Sequence, residues 1–433
     1  MSSTTTSQAN TLAGWRLILS GAQMLFVAFG SLVLVPLITG LDPSVALFTA
    51  GLGTLIFQFT TKRSIPVFLG SSFAFIAPII FAVETWGKAA TMGALFCAGL
   101  IYVLLAALVA LRGPGFLHRL LPPVVIAPII MVIGLGLAPV AVNMAIGKSG
   151  DGGIELFPYG DAMMVSMPAM IVTLLVACYA KGIFRLVPII VGVAAGYLIA
   201  LTMGMVDFSA VTNSSWVSVP AFVMPEFHIG AILFMLPVAI APAIEHVGDV
   251  LAIGSVTGKN YVQKPGLHRT LLGDGVATSA AALFGGPPNT TYSEVTGAVM
   301  LTKAFNPVVM IWAAVFAVSL AFISKFGAFL QTIPTPVMGG ILVILFGSIA
   351  GVGMNILIKS RVDLSIQRNL IIVAVTLVFG IGGMMVGAGD WHLQGVSLCG
   401  IVAIILNQIL PKTDQVNDLH EEQEVVEELF HHK

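Results

Sequence analysis

Charge is what this chain most lacks. Only 9% of its 433 residues are Asp, Glu, Lys or Arg, against about 25% in an ordinary soluble domain. So little charge cannot coat a water-facing surface of this size, which excludes a soluble multidomain protein. The charges that exist nearly balance, 19 basic against 20 acidic residues, so there is no basic footprint and no nucleic-acid partner is expected. Cysteine is scarce too. Cys97, Cys178 and Cys399 lie far apart in apolar runs, which excludes a disulfide framework and a zinc-ligand spacing. No Walker motif, nucleophile elbow or zinc signature occurs. The chain is therefore read as no enzyme, with no metal and no cofactor, and ATP-driven pumping by it alone is excluded. Its first residues are polar and uncharged, without the apolar core of a cleavable leader.

What is abundant is apolar sequence: 57% of residues are hydrophobic and the mean hydropathy is +1.01. A spanning helix needs roughly 20 mostly apolar residues. Fourteen candidate spans are found, centred near Phe26, Leu52, Phe75, Leu100, Met131, Val172, Ala194, Pro237, Ala277, Val295, Phe316, Leu342, Thr376 and Ile401. With the N-terminus placed inside, sixteen of the nineteen Lys and Arg fall on the cytoplasmic side, and only Lys88, Lys148 and Lys325 fall outside. A wrong span count would scramble that bias, so it supports both count and orientation. Trp86 and Trp391 sit at expected outer boundaries, where interfacial aromatics belong. The segment 413–433 carries seven acids and one base, Lys433. It reads as a solvated cytoplasmic tail.

The chain contains an internal repeat. Arg112–Val124 (RGPGFLHRLLPPV) aligns without gaps to Lys325–Val337 (KFGAFLQTIPTPV), each copy preceding a Gly-rich apolar span. The first copy follows span four and the second follows span eleven. An offset of seven spans, an odd number, forces the halves into opposite orientations, the plan of many secondary transporters. Two spans are poor helices at matching positions: the third, with Gly70–Pro78 (GSSFAFIAP), and the tenth, with Gly286–Gly297 (GPPNTTYSEVTG). Broken helices leave N–H and C=O groups that are costly in lipid unless they line a cavity or bind a solute. The Gly-rich spans after Pro123 and Pro336 are expected to give the sliding surface of a transport cycle.

Four acids fall inside expected spans: Glu245, Asp249, Asp274 and Glu294. Intramembrane carboxylates are costly and mark function by default. Glu245 and Asp249 are four apart, hence on one helix face. Two like charges that close favour protonation of one, as proton coupling requires. His246, between them on another face, reads as a satisfied packing residue rather than a ligand or relay, and Asp274 as a cap or network residue near the cytoplasmic end of its span. Glu294 lies in the tenth span beside Tyr292 and Ser293. Two carboxyls and exposed main chain suit a planar solute with N–H donors and C=O acceptors, and a sugar could use the same groups.

At these residues the sequence resembles the nucleobase–ascorbate transporter family, most closely its bacterial uracil permeases. The resemblance runs from about Gln23 to Leu410. It rests on Gly70–Phe75 (GSSFAF), Glu245–Gly248 (EHVG), Pro265–Arg269 (PGLHR), Pro288–Tyr292 (PNTTY) with Glu294, Thr302 and Lys303, Ile333 and Pro334 with Pro336–Gly340 (PVMGG), and Arg361–Asp363 (RVD). It implies an all-α polytopic membrane protein of fourteen transmembrane helices, arranged as two inverted seven-helix repeats with broken third and tenth spans. The expected parts are a disordered segment 1–14, a core domain over 15–112 and 229–325, a gate domain over 113–205 and 326–412, an outer connection 206–228 and the acidic tail 413–433. The implied activity is proton-coupled symport of a nucleobase into the cell across the inner membrane, both termini cytoplasmic, with a possible homodimer formed through the gate.

Position by position, the resemblance gives base contacts to Glu245, Glu294, the main chain of Phe73, and Ser293. It gives proton coupling to Glu245 and Asp249, and supporting roles to Ser72, Gln23, Tyr292 and Asp274. Glutamate at position 294 marks uracil-type members, whereas aspartate at position 249 marks purine-type ones. Because position 294 is the one that touches the ligand, uracil is the expected solute, with xanthine or another purine as the alternative. An anion carrier of the same seven-plus-seven architecture is a third reading, against which Glu245 and Glu294 argue.

Overall fold

The computed structural model describes residues 14–113, 115, 121–388 and 391–411. The acidic tail, nearly all of the segment 1–14 and much of the first repeat copy lie outside the described residues. In chain order come α1 (Gly14–Thr39), α2 (Pro43–Thr60), the strand β1 (Leu69–Ser71), α3 (Ile76–Arg112), α4 (Pro123–Gly136), α5 (Ala138–Ala145), α6 (Tyr159–Tyr179), α7 (Pro188–Thr202) and the short α8 (Ser209–Asn213). The second half holds α9 (Ile229–Met235), α10 (Ile240–Thr257), α11 (Leu267–Leu283), β2 (Asn289–Thr291), α12 (Ser293–Thr302), α13 (Val308–Ala321), α14 (Ser324–Gln331), α15 (Thr335–Lys359), α16 (Gln367–Ile381), the strands β3 (Met385–Ala388) and β4 (Trp391–Gln394), and α17 (Gly395–Ile409).

All fourteen expected centres fall within a helix or a 3-10 turn, the latter being Phe73–Phe75 and Leu236–Ala239. Seven described segments are single helices or near-continuous runs long and apolar enough to cross a bilayer, while α7, α16 and α17 are shorter apolar helices. Helix α3 shows why spans three and four read separately. Its 37 residues would reach about 55 Å as one rod, well beyond a hydrocarbon core of roughly 30 Å. The helix breaks at Gly87, with φ +83°, a conformation glycine adopts without penalty.

Packing divides the helices into two groups. In one, α11 lies against α3 and α2, α13 against α2 and α1, and α9 against α3. In the other, α15 lies against α4, α5 and α6, α6 against α7, and α16 against α17 and α4. Among lipid tails, apolar side chains gain little by leaving lipid, so close backbone approach at small residues carries helix association. A side chain at Gly51 would meet the Ala314 carbonyl at 2.6 Å, and one at Gly99 would meet that of Gly275 at 2.7 Å. The same device joins α4 to α15, where a side chain at Gly353 would come within 2.7 Å of the Ala127 carbonyl and one at Gly134 would strike the carbonyl of Phe346. Of the glycines after Pro123 and Pro336, Gly134 and Gly353 thus fasten α4 to α15, Gly339 and Gly340 press on Ala145 of α5 and Ser166 of α6, and Gly136, Gly347 and Gly351 meet nothing within 4 Å.

The connection after α7 is held across one end of the first group. Ser218 N–H donates to Phe322 at 3.1 Å and Glu226 N–H donates to Ala89 at 2.9 Å, while Phe222 packs on Phe48 and Phe284. Trp86 rests on Phe81, His228 and Phe234; the side chain of Trp391 lies outside the described residues. Several resemblance motifs prove to be turn builders. Lys303 and Arg361, with φ +55° and +49°, follow α12 and α15, placing positive charge at helix C-termini. In the turn after Arg361, the hydroxyl and then the N–H of Ser365 donate to Asp363 and hold its carboxyl below the usual range.

The glycine seam gives a stability test. Gly134→Ala should destabilise the protein by about 1–3 kcal/mol, since the methyl meets immobile backbone. Gly136→Ala, where nothing lies within 4 Å, should be neutral or mildly stabilising. Thermal unfolding of the two variants in detergent compares them directly.

Candidate functional site

Strands β1 and β2 meet antiparallel, with Leu69 facing Thr291, Gly70 facing Thr290 and Ser71 facing Asn289. The ladder extends through the Ser72 N–H, which donates to Pro288 at 2.9 Å. The sequence marks these stretches only as poor helix. Their strand pairing emerges because each supplies what the other's backbone needs. Helix α2 supports the first strand: Thr54 Oγ1 accepts from Leu69 N–H at 2.9 Å, and Gln58 Nε2 donates to the carbonyls of Ile65 and Val67 at 2.9 and 3.0 Å. Helix α11 supports the second, through Thr278 Oγ1 donating to the Asn289 carbonyl at 2.9 Å. Gly70 is required by close approach, since a side chain there would stand 2.6 Å from Ser31 Oγ.

Each strand runs into a helix start, the Phe73–Phe75 turn with α3 and then α12. First-turn N–H groups have no intrahelical partner and present a positive partial charge. Glu294 lies in the first turn of α12, where a carboxylate is favoured.

A cleft opens at this junction. It is lined by Ser71, Ser72, Phe73, Thr290, Thr291, Tyr292 and Glu294 from the strand ends, by Glu245 from α10, and by Ile130, Ile133, Ser348, Ile349 and Val352 from α4 and α15. It is small, with a cavity volume of about 70 Å³. The rings of Phe73 and Tyr292, 6.2 Å apart and tilted by 42°, form one wall. The hydroxyls of Ser71 and Ser72 are buried with no protein partner among the described residues. No basic residue is among those lining the cleft.

A second cavity shares Ile130, Glu245 and Val352 with the first and is further lined by Gly248, Asp249, Thr296, Asn355, Lys359 and Ser360. Glu245 thus faces both spaces, whereas Asp249, one turn on, faces only the second.

The expected site residues are therefore only partly gathered. Glu245, Glu294, Phe73, Ser72 and Tyr292 line the cleft. Ser293 lies between two lining residues, with only its backbone described. Gln23 stands on α1 outside the lining. Asp274 is not near a helix end as expected but at the middle of α11, fully buried. Of the cap and network roles expected for it, it takes the network role, behind β2, and its place differs because α11 begins only at Leu267 and so centres on it. There Asp274 Oδ2 lies 2.9 Å from His246 Nδ1 and accepts from Thr291 N–H at 3.3 Å, so His246 is packed with its Nδ1 partnered. Sequence reasoning missed Ile130, Ile133, Ser348, Ile349 and Val352. Four are apolar residues in apolar spans, indistinguishable by type from lipid-facing ones.

The arrangement offers two carboxylates, several hydroxyls and strand-end backbone on one side, and an apolar wall on the other. It can grip the hydrogen-bonding edges of a small planar molecule and cover its apolar edge. The two carboxylates in its lining make it a poor anion site.

A family model described as a permease family, that of the xanthine/uracil permeases, matches residues 16–389. The probable uracil permease of Haemophilus influenzae is 59% identical over 392 residues, covering 90% of this chain and 94% of that protein. The uracil permease of Bacillus caldolyticus is 44% identical over 400 residues, covering 91% of each. Among solved structures, the transmembrane domain of the cyanobacterial bicarbonate transporter BicA superposes with a TM-score of 0.63 at 14% identity, over 90% of this chain and 96% of that one. That likeness is one of fold. With nine-tenths of the chain matched at such identity and a set of apolar helices fit to span a bilayer, this is a multi-pass membrane protein that belongs to the nucleobase–ascorbate transporter family.

Proposed function

We propose that the chain is a proton-coupled uracil importer of the inner membrane, with both termini cytoplasmic. The observation that carries this is the convergence of Glu245 and Glu294 on one small cleft that has no lining cation. Uracil presents two N–H donors and two carbonyl acceptors around a flat ring. An ionised carboxylate accepts from N–H, while a neutral carboxyl or a main-chain N–H at a helix start donates to C=O. The apolar edge of the ring faces Ile130, Ile133, Ile349 and Val352. The relatives named as uracil permeases support the same base. Xanthine is the alternative, favoured by Asp249.

Transport in this reading is alternating access of a core domain (15–112 and 229–325) against a gate domain (113–205 and 326–412). The two packing groups support the division. Packing also supports an inverted repeat. The contact of α13 with α2 has a counterpart in that of α3 with α11, and the contact of α1 with α13 has one in that of α9 with α3, as expected when elements seven spans apart exchange roles. The second cavity, with Lys359 at its far side, is the route to the cytoplasm, and a homodimer forms through the gate. Asp249, facing that route and not the cleft, carries the coupling proton, while Glu245 links the two spaces.

Two variants test the reading. Glu294→Gln should weaken uracil uptake by about tenfold or more, since a hydrogen bond to a charged group typically contributes about 1.5–3 kcal/mol, and should raise xanthine uptake relative to uracil. Competition uptake of the two labelled bases in cells lacking their own carriers measures both; unchanged uracil affinity removes Glu294 from the site. Asp249→Asn should keep uracil binding but lose accumulation driven by an imposed pH gradient in proteoliposomes, leaving exchange. Gradient-driven accumulation by that variant sinks the proton role.

A further inference from the structure

Glu245 and Glu294 stand on different elements, α10 and the junction of β2 with α12. A clamp on one small rigid solute needs the spacing of its two arms fixed. One buried cluster ties those elements together. His246 follows Glu245 directly, and its Nδ1 lies 2.9 Å from Asp274 Oδ2 and 3.2 Å from Thr291 Oγ1. The same Asp274 Oδ2 accepts from Thr291 N–H at 3.3 Å, and Thr291 precedes Glu294 by three residues. His246 and Asp274 are both 0% exposed, and the edge-on ring of Phe57 packs beside the imidazole with centroids 6.4 Å apart.

We propose that His246 is a positioning residue: through Asp274 and Thr291 it sets the separation of Glu245 and Glu294, and so the affinity for the base, without touching it. This rests on the reading that those two carboxylates hold the base. Neither His246 nor Asp274 lines the cleft, so any effect on binding passes through the groups they hold. The chemistry constrains the arrangement. Asp274 Oδ2 is an acceptor for both neighbours, so the imidazole carries its proton on Nδ1 and donates it, with Thr291 Oγ1 as a second acceptor. Three elements, α10, α11 and β2, are thereby joined at one oxygen. Supporting hydrogen bonds of this kind fix the orientation of groups that contact a ligand, and a buried pair that loses one member leaves the other uncompensated.

The test is a double-mutant cycle on the purified full-length protein, read as equilibrium base binding with thermal unfolding measured alongside. Uracil and xanthine are first titrated on the wild type. Absence of uracil binding there refutes the uracil assignment, and the cycle then runs with xanthine, so the two readings fail separately. His246→Ala should weaken binding about tenfold, whereas in the Glu294→Gln background the same change should cost less than about twofold, because coupled sites are non-additive. His246→Asn places an amide donor where Nδ1 stood and should restore most of the affinity; His246→Gln, with its longer reach, should not. If the alanine variant does not fold, the Asn and Gln variants complete the cycle. Equal penalties in both backgrounds, or Asn binding no better than Gln, overturn the proposal and leave His246 a residue of general stability only.

Discussion

Inside a bilayer an unpaired backbone N–H or C=O costs several kcal/mol, and the pairing of β1 with β2 is how this chain sets two non-helical stretches among helices without leaving such groups bare. Three facing residue pairs suffice, because side chains of α2 and α11 complete the bonding at the strand ends. The cleft, both helix starts and Glu294 are all placed by that ladder. If it were lost, the two stretches would have no reason to meet, and the carboxylate of α10 would face nothing.

The cleft is also divided by chemistry. The strand ends, with α10 and the start of α12, contribute the carboxylates and most hydroxyls; α4 and α15 contribute isoleucines, a valine and the single hydroxyl of Ser348. A polar face held in one body and an apolar face in another can part without breaking many directional bonds, since dispersion contacts are individually weak. The glycine seams act in the opposite sense. They join helices within each group at backbone distance, so that each behaves as one piece. Backbone-tight packing and looser side-chain contact thus occupy different surfaces. The bicarbonate transporter BicA shares the fold, yet the lining here carries acids and no base, which shows again that a fold and its site are separate matters.

Much of this was legible in the sequence. Every expected span centre landed in a helical segment, because twenty-residue apolar runs leave a bilayer protein little choice. Glu245 and Glu294 were legible because ionisable groups in such runs stand out. Three kinds of feature were not. The strands were hidden because main-chain pairing leaves no side-chain signature in a three-residue stretch. The apolar wall was hidden because Ile130 or Val352 differs from a lipid-facing residue only in its neighbours. The partners of the glycines after Pro123 and Pro336 were hidden because composition marks where helices approach closely but not which partner approaches. The partners of Asp274 were hidden for a simpler reason: His246 and Thr291 are distant in sequence and adjacent only once α10, α11 and β2 have packed.

The β1–β2 ladder runs through main-chain atoms, which every residue but proline supplies alike. Side chains that look into the cleft from Ser71 to Phe73, or at position 294, therefore contribute nothing to the ladder itself. The vocabulary of recognition can be rewritten at those positions while the grammar of the fold stays the same. A scaffold so built can pass from one flat solute to another through single substitutions, each keeping the same hydrogen-bonded frame, and its history of specificity need not be a history of stability.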